Sequence, residues 1–159
     1  MGFMNVMRAA TLEQLQQCLA IREEVFVKEQ GVDPAIEIDR YDDSPLACVH
    51  MLLTVEGQPA ATGRIIRYEE RTAKLQRIAV LPEYRGIGAG RRLVEAMEEQ
   101  AWRDGFRRLV LDAQCRAEPF YVKLGYRTVS DEPFLDAGIP HVRMTKEKPE
   151  PAFHPEPLS

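Results

Sequence analysis

The stretch from Leu75 to Val94, read as Leu-Gln-Arg-Ile-Ala-Val-Leu-Pro-Glu-Tyr-Arg-Gly-Ile-Gly-Ala-Gly-Arg-Arg-Leu-Val, restricts what this chain can fold into more than any other. It opens as an apolar, partly β-branched run, turns at Pro82, passes through a loop with glycine at 86, 88 and 90, and continues as an amphipathic helical pattern. Strand, glycine-rich loop and helix in that order make an anion-binding layout. Glycines remove the side chains that keep a ligand off the backbone, so successive N–H groups can point at phosphate oxygens. The helix that follows brings the positive end of its dipole to the same place, and Arg85, Arg91 and Arg92 add formal charge. A diphosphate is the ligand this layout suits.

Composition narrows the setting. A chain of 159 residues is one domain by size and buries a core without disulfides or a structural metal. Its 45% hydrophobic and 29% charged content is that of a soluble globular protein. A formal charge of −4 argues against a nucleic-acid partner and fits a cationic small substrate better. Cys18, Cys48 and Cys115 are scattered, with no C-x-x-C pair, so neither a disulfide framework nor a metal site is indicated. No signal-peptide pattern opens the chain, and no run approaches the roughly 18 apolar residues of a membrane span. A cytoplasmic protein with reduced thiols and no membrane partner is expected.

Along the chain, residues 3–8 read as a first strand, and Thr11 with Gln14 as a capping box opening a helix that runs to about Lys28. Residues 47–55 and 59–67 are strand-like and joined by Glu56-Gly57-Gln58, a hairpin signal. Lys74 to Leu81 is a third strand beside them. The helix after the glycine loop stops at Asp104-Gly105. Arg108 to Asp112 then returns parallel to that third strand, since a helical crossover joins them. A short helix over 116–124, a strand begun at Tyr126, a loop over 133–140 and a last strand over 141–145 follow. The domain spans residues 1–146. Residues 147–159, with four prolines, read as a flexible tail.

The segment between Gly31 and Pro45 carries Asp33, Glu37, Asp39, Asp42 and Asp43. The plain reading of such a run is a solvated loop, and the competing one is a cation-attracting rim over an active site.

The phosphate loop fits neither familiar nucleotide pattern: Gly-x-x-x-x-Gly-Lys-Ser/Thr is absent, and a dinucleotide fingerprint needs glycine where Arg91 stands. Arg85-Gly86-Ile87-Gly88-Ala89-Gly90 instead resembles the Arg/Gln-x-x-Gly-x-Gly/Ala signature of the GNAT N-acetyltransferases. Ala117-Glu-Pro-Phe120-Tyr121-Val-Lys-Leu124-Gly125-Tyr126 is similar to the same family's Ala-x-x-Phe-Tyr-x-x-x-Gly-Phe/Tyr segment. The order of strands and helices agrees from about residue 5 to 146. Val25-Phe26-Val27-Lys28-Glu29-Gln30, with the acidic loop and His50, resembles a bacterial subgroup of the family, the ElaA-like or YjcF-like proteins.

The resemblance implies an α/β (α+β) fold: a mixed, mostly antiparallel sheet of about six or seven strands, splayed in the middle and flanked by helices. It implies acetyl-coenzyme A as cosubstrate, no metal, and direct transfer to an amine. Carried over by position, the N–H groups of Arg85, Gly86, Ile87, Gly88, Ala89 and Gly90, with Arg91, would hold the pyrophosphate. Ile78, Ala79 and Val80 would line the pantetheine arm, and the N–H of Val80 would meet the thioester carbonyl, where negative charge develops. Tyr121 would donate a proton to the departing thiolate. Phe120, in the same coenzyme-binding segment, would turn away from it and pack into the core. Gln114 stands where many relatives have Asn and offers the same amide groups to the arm.

An amine is an ammonium at neutral pH and must lose a proton before it attacks. Glu29, Asp39, Asp43 and His50 are the candidate bases, with Glu29 the first choice and His141 behind them. Glu29, Asp39 and Asp43 are the expected contacts to a cationic acceptor. Two other functions compete with small-molecule acetylation: a coenzyme-binding module that has lost catalysis, and transfer to a protein N-terminus or lysine. Monomer and homodimer stay equally open.

Overall fold

A computed structural model describes residues 3–151. Strand β1 (Met4–Arg8) leads to Thr11, whose side chain accepts from the N–H of Gln14 while the Gln14 amide oxygen accepts from the N–H of Thr11. This capping box starts α1 (Leu12–Arg22), which buries Leu15, Cys18, Ile21 and Arg22. The helical path reaches residue 29, as the periodicity predicts, but its last part, Glu23–Glu29, is wound as a π-helix. Wider turns of this kind recur at functional sites. The acidic segment carries a short helix, α2 (Pro34–Glu37), capped by Asp33, and a 3-10 turn over Arg40–Asp42 capped by Asp39.

Strands β2 (Val49–Val55) and β3 (Gln58–Glu69) are joined by Glu56 and Gly57, both at positive φ (50° and 80°), the conformation of a two-residue hairpin turn. β3 pairs with β4 (Thr72–Val80), α3 (Ala89–Arg103) crosses over, and β5 (Arg108–Gln114) returns parallel to β4. Then come α4 (Glu118–Lys123), β6 (Arg127–Thr128), β7 (Phe134–Asp136) and β8 (Ile139–Glu147). The strand order is β1-β2-β3-β4-β5-β8-β6, with β7 on β8, and only the β4–β5 neighbours are parallel. The sheet is mixed and mostly antiparallel, as expected, with eight strands.

Two local expectations change. The stretch 133–140 is not a loop: β7 pairs with β8 through a turn at Ala137 and Gly138, at φ 51° and 77°. The strand after Tyr126 is cut to Arg127–Thr128. At the other end β8 runs to Glu147, and the N–H of Lys148 still bonds Arg107 O. Residues 152–159 of the expected tail lie outside the described residues.

One face of the sheet packs on α3, where Leu93, Val94 and Met97 meet Leu53, Leu75 and Leu109. Each fully buried side chain of this size contributes about 2 kcal/mol. Gly63 on β3 lies so close to α3 that a Cβ there would sit 2.6 Å from the Met97 sulfur. On the opposite face α1 and the π segment set Cys18, Ile21 and Val25 against Leu52 and Ala79. Among the described residues no helix is long and apolar enough to cross a membrane.

The feature that makes a site is a divergence. β4 and β5 are paired only from Thr72–Arg108 to Leu75–Leu111. Beyond that point β4 stays with β3 as far as Val80, and β5 stays with β8 as far as Gln114. The two halves of the sheet separate like a V, leaving the β5-facing edge of Gln76 to Val80 without a strand partner.

Candidate active site

The V opens into a cleft of about 770 Å³. Residues 74–80 of β4 and 111–114 of β5 form its two arms. The glycine loop and α4 close one side, and Phe26, Gln30 and the β7–β8 hairpin face them.

On the glycine-loop side the site is made of backbone. Gly86 and Gly88 hold φ of 81° and 88°, a region that side-chain-bearing residues rarely enter. Gly88 is the N-cap of α3 and has no side chain to bond the helix's first N–H groups. The first bond of the helix runs from Arg92 N to Gly88 O at 3.0 Å, so the N–H groups of Ala89, Gly90 and Arg91 precede any intrahelical acceptor. Free donors at the positive end of a 15-residue helix suit a pyrophosphate. Ile78, Ala79 and Val80 line the adjoining arm, while Ile87 is half exposed and outside the lining.

The arginines of this loop already have partners. Arg85 donates to Val80 O at 3.0 Å and, through both terminal nitrogens, to Glu29 at 2.7 and 2.8 Å. Arg91 bonds Glu95 one turn along α3 at 2.6 Å. The bond from Arg85 holds the Glu29 carboxyl below its ordinary range, which makes Glu29 a weaker base than a free glutamate.

Tyr121 and Phe120 divide their roles opposite to the packing expectation. Tyr121 is buried and Phe120 open: the Phe120 ring lies over Gly90, where an added Cβ would meet it at 3.5 Å, and it lines the cleft. Tyr121 also reaches the cleft, between Phe120 and Tyr126 in edge-to-face contacts at 5.0 and 5.7 Å. Burial raises its phenol above the ordinary value, so it keeps its proton. Its hydroxyl has no hydrogen-bond partner among the described residues.

Gln114, at the end of β5, reaches across the V: its amide nitrogen donates to Gln30 Oε1 at 2.8 Å, and its oxygen accepts from Arg116 at 3.1 Å. The neighbours Glu29 and Gln30 thus each bond one arm, Glu29 the end of β4 through Arg85 and Gln30 the end of β5.

The acidic segment forms no open rim. Arg22 and Arg64, each 1% exposed, lie beneath it. Arg22 binds Glu37 at 2.6 Å and Asp42 at 2.7 and 2.9 Å. Arg64 grips Asp39 through two bonds of 2.7 Å and Asp42 through one of 3.0 Å. Burial alone would raise the Asp42 pKa, yet the bonds from Arg22 win and hold it at about 2. For Asp39 too, the Arg64 bonds outweigh burial and lower it. Asp43 is exposed and off the cleft lining.

His50 belongs to this buried cluster. It is 1% exposed, its Nε2 sits 2.8 Å from Tyr41 O, and burial lowers its pKa. It does not line the cleft. His141 does, with Phe134 stacked at 6.2 Å. Its Nδ1 lies 2.6 Å from Ile139 O, and a carbonyl only accepts, so Nδ1 donates the hydrogen of this bond and Nε2 is the nitrogen left for another partner.

Gln30 stood in the stretch that resembles the subgroup but with no role attached, and Arg77 had no sequence signal. Gln30 is one polar residue at a helix end, and Arg77 one of several strand residues. Both become visible only when the V brings residues distant in sequence to one cleft.

The sequence matches the acetyltransferase (GNAT) domain over residues 43–148. It is 40% identical over 144 residues to an uncharacterised N-acetyltransferase of Bacillus subtilis (strain 168), YjcF, covering 91% of this chain and 100% of that one. The fold is similar to the crystal structure of a candidate N-acetyltransferase from Lactobacillus plantarum, with TM-score 0.82, 30% identity, and 91% and 97% of the two chains covered. It is also similar to Escherichia coli ElaA, with TM-score 0.77, 27% identity, and 92% and 100% covered. A domain match that spans both arms of the V, and a relative aligned over its full length, place the chain in the GNAT family of N-acetyltransferases.

Proposed function

We propose that this protein moves an acetyl group from acetyl-coenzyme A to a primary amine of a small molecule, by direct attack with both substrates bound. One observation carries the reading: a single cleft joins the uncapped head of α3, the unpaired edge of β4 and a buried, protonated phenol. Acetyl-coenzyme A supplies the acetyl group already activated as a thioester. The N–H groups from Gly86 to Arg91 bind the diphosphate, and the free edge at Ile78, Ala79 and Val80 orients the arm by backbone hydrogen bonds. Phe120 covers the arm beside Gly90 and keeps water out.

Tyr121 holds the proton for the departing sulfur. A phenol pushed up by burial, with no hydrogen-bond partner among the described residues, keeps its proton until the thiolate departs. His141, as the neutral ring, takes the proton from the incoming ammonium at Nε2, since Nδ1 is engaged with Ile139 O. Glu29, engaged with Arg85, serves to tie the first helix to the glycine loop.

The test is release of free thiol from acetyl-coenzyme A across a broad panel of small amines. Amine-dependent thiol release, with the N-acetyl product seen by mass spectrometry, is expected. Tight coenzyme binding by calorimetry with no turnover on any amine would overturn the proposal in favour of a silent coenzyme-binding module.

A further inference from the structure

Arg77 stands apart from the two buried arginines beside it. It sits where the β3–β4 ladder slips: Arg64 pairs with Gln76 and Thr62 with Ala79, so Arg77 and Ile78 together oppose Gly63. Its φ is +56°, a conformation uncommon for a residue with a side chain. Arg77 lines the cleft, and its side chain is 26% exposed.

Its own bonds go only to backbone carbonyls, Glu37 O at 3.2 Å and Ile36 O at 3.4 Å. The nearest carboxylates are Asp39 at 3.7 Å and Glu37 at 3.8 Å. Both are already held at 2.6 to 2.7 Å, Glu37 by Arg22 and Asp39 by Arg64. Burial and the like charges of Arg64 and Arg22 bear on Arg77 together and lower its pKa. Nη1 has no hydrogen-bond partner among the described residues, so part of the planar donor fork of this cleft-lining residue is unmatched.

In this cluster three guanidinium groups, Arg22, Arg64 and Arg77, stand among three carboxylates, Glu37, Asp39 and Asp42. Asp112, at the opposite arm, is shared between Lys74 at 3.1 Å and Arg143 at 2.9 Å, two cations on one carboxylate. Asp136, at the hairpin edge, is the one lining carboxylate without a partner among the described residues. Arg77 precedes Val80 by three residues of strand, about 10 Å when fully extended, and the glycine loop follows Val80.

Taking the acetyltransferase reading as its basis, we propose that the amine acceptor carries a carboxylate, which Arg77 receives. A planar guanidinium fork with a nitrogen left without a partner matches a carboxylate better than it matches a neutral or cationic group. The acidic segment, whose carboxylates already bind Arg22 and Arg64, draws in no polycation. The acceptor class is therefore a small amino acid-like molecule, its ammonium end toward Asp136 and His141.

The experiment compares matched pairs of amines, each a carboxylate and its carboxamide, with wild-type enzyme, Arg77→Gln and Arg77→Lys, following thiol release. Wild type is expected to favour the carboxylate about tenfold or more in kcat/KM, the size of a charged hydrogen bond. In Arg77→Gln this ratio falls to about one through a rise in KM for the carboxylate, and Arg77→Lys gives a ratio in between. A role limited to holding α2 would lower both members of each pair alike and leave the ratio unchanged, which overturns the proposal. So does a wild-type preference for carboxamides or cationic amines, although acetyl transfer itself then stands. Should only phosphonate-bearing amines turn over, Arg77 serves a phosphoryl group and the carboxylate assignment falls. Absence of turnover with every amine removes the acetyltransferase reading, and this inference with it.

Discussion

The two sides of the cleft solve the burial of charge in opposite ways. The glycine-loop side leaves dipoles open: uncapped N–H groups at Gly88 and beyond, and an unpaired edge on β4, all waiting for a ligand. The acidic side closes its charges on one another, with Glu37, Asp39 and Asp42 matched to Arg22 and Arg64 beneath the surface. A site built from open dipoles is cheap to keep empty because water can solvate it. A buried ion cluster is costly to break, because removing one partner strands the other in a low-dielectric interior. One side is therefore expected to govern ligand affinity and turnover, and the other the stability of the acceptor wall.

The strongest way to sharpen that contrast is Tyr121→Phe. Its hydroxyl has no partner among the described residues, so the variant keeps its stability, while kcat falls about 10²- to 10⁴-fold with little change in KM for acetyl-coenzyme A. Steady-state thiol release together with a urea melt reads both. A variant with unaltered kcat would remove Tyr121 from the acid role.

Asp42→Ala acts on the other side. It leaves Arg22 and Arg64 short of a carboxylate at 2.7 and 3.0 Å, and a loss of about 3–5 kcal/mol in unfolding free energy is expected. Coenzyme affinity, measured on protein that is still folded, should move far less. An affinity loss as large as the stability loss would break the separation of the two sides.

Acid should find the ion cluster first. His50 is held neutral by burial but protonates freely once unfolded, so its contribution is complete above the ordinary value of 6.5 and declines as pH falls below it. The Asp42 carboxyl is lowered from 3.8 to about 2, so its contribution is complete above 3.8 and is lost as pH falls through 2. That second loss amounts to about 2 kcal/mol. Urea midpoints are expected to hold above neutrality and to fall in two stages on acidification. In His50→Gln the upper stage disappears; its persistence would move the neutral-pH effect to another group.

The smallest effect is expected from Glu29→Gln. The Arg85 pair is partly exposed and worth less than about 1 kcal/mol, so kcat should change only a few-fold. A hundredfold loss, with a pH profile that loses its acid limb, would restore Glu29 as the base in place of His141.

The same contrast explains what could be read in the chain. Backbone-built features announce themselves locally: Gly86 and Gly88 sit where φ must be positive, and Thr11 with Gln14 spells out a cap. The hairpin at Glu56-Gly57 was legible because long apolar strands flank it. The hairpin at Ala137-Gly138 uses the same backbone shape but lies between Pro133 and Pro140, with only three residues in β7, and gave no alternating pattern. The ion cluster was half visible. Its carboxylates crowd into one segment, but Arg64 lies 22 residues from Asp42, and only the fold brings them together. Taken without its arginines, an acidic run looks like a magnet for cations. His141, one imidazole in a strand, acquires meaning from the Ile139 carbonyl that fixes its tautomer.

Glu29 and Gln30 are successive residues tied to opposite arms of the V. The width of the entrance is therefore gauged by a single peptide link, about 3.8 Å between Cα atoms, plus two side-chain lengths. Both ties start from the end of the π-helical segment, one on each side of the cleft. The end of the first helix is in this way the place where the two arms, far apart in the chain, are cross-tied.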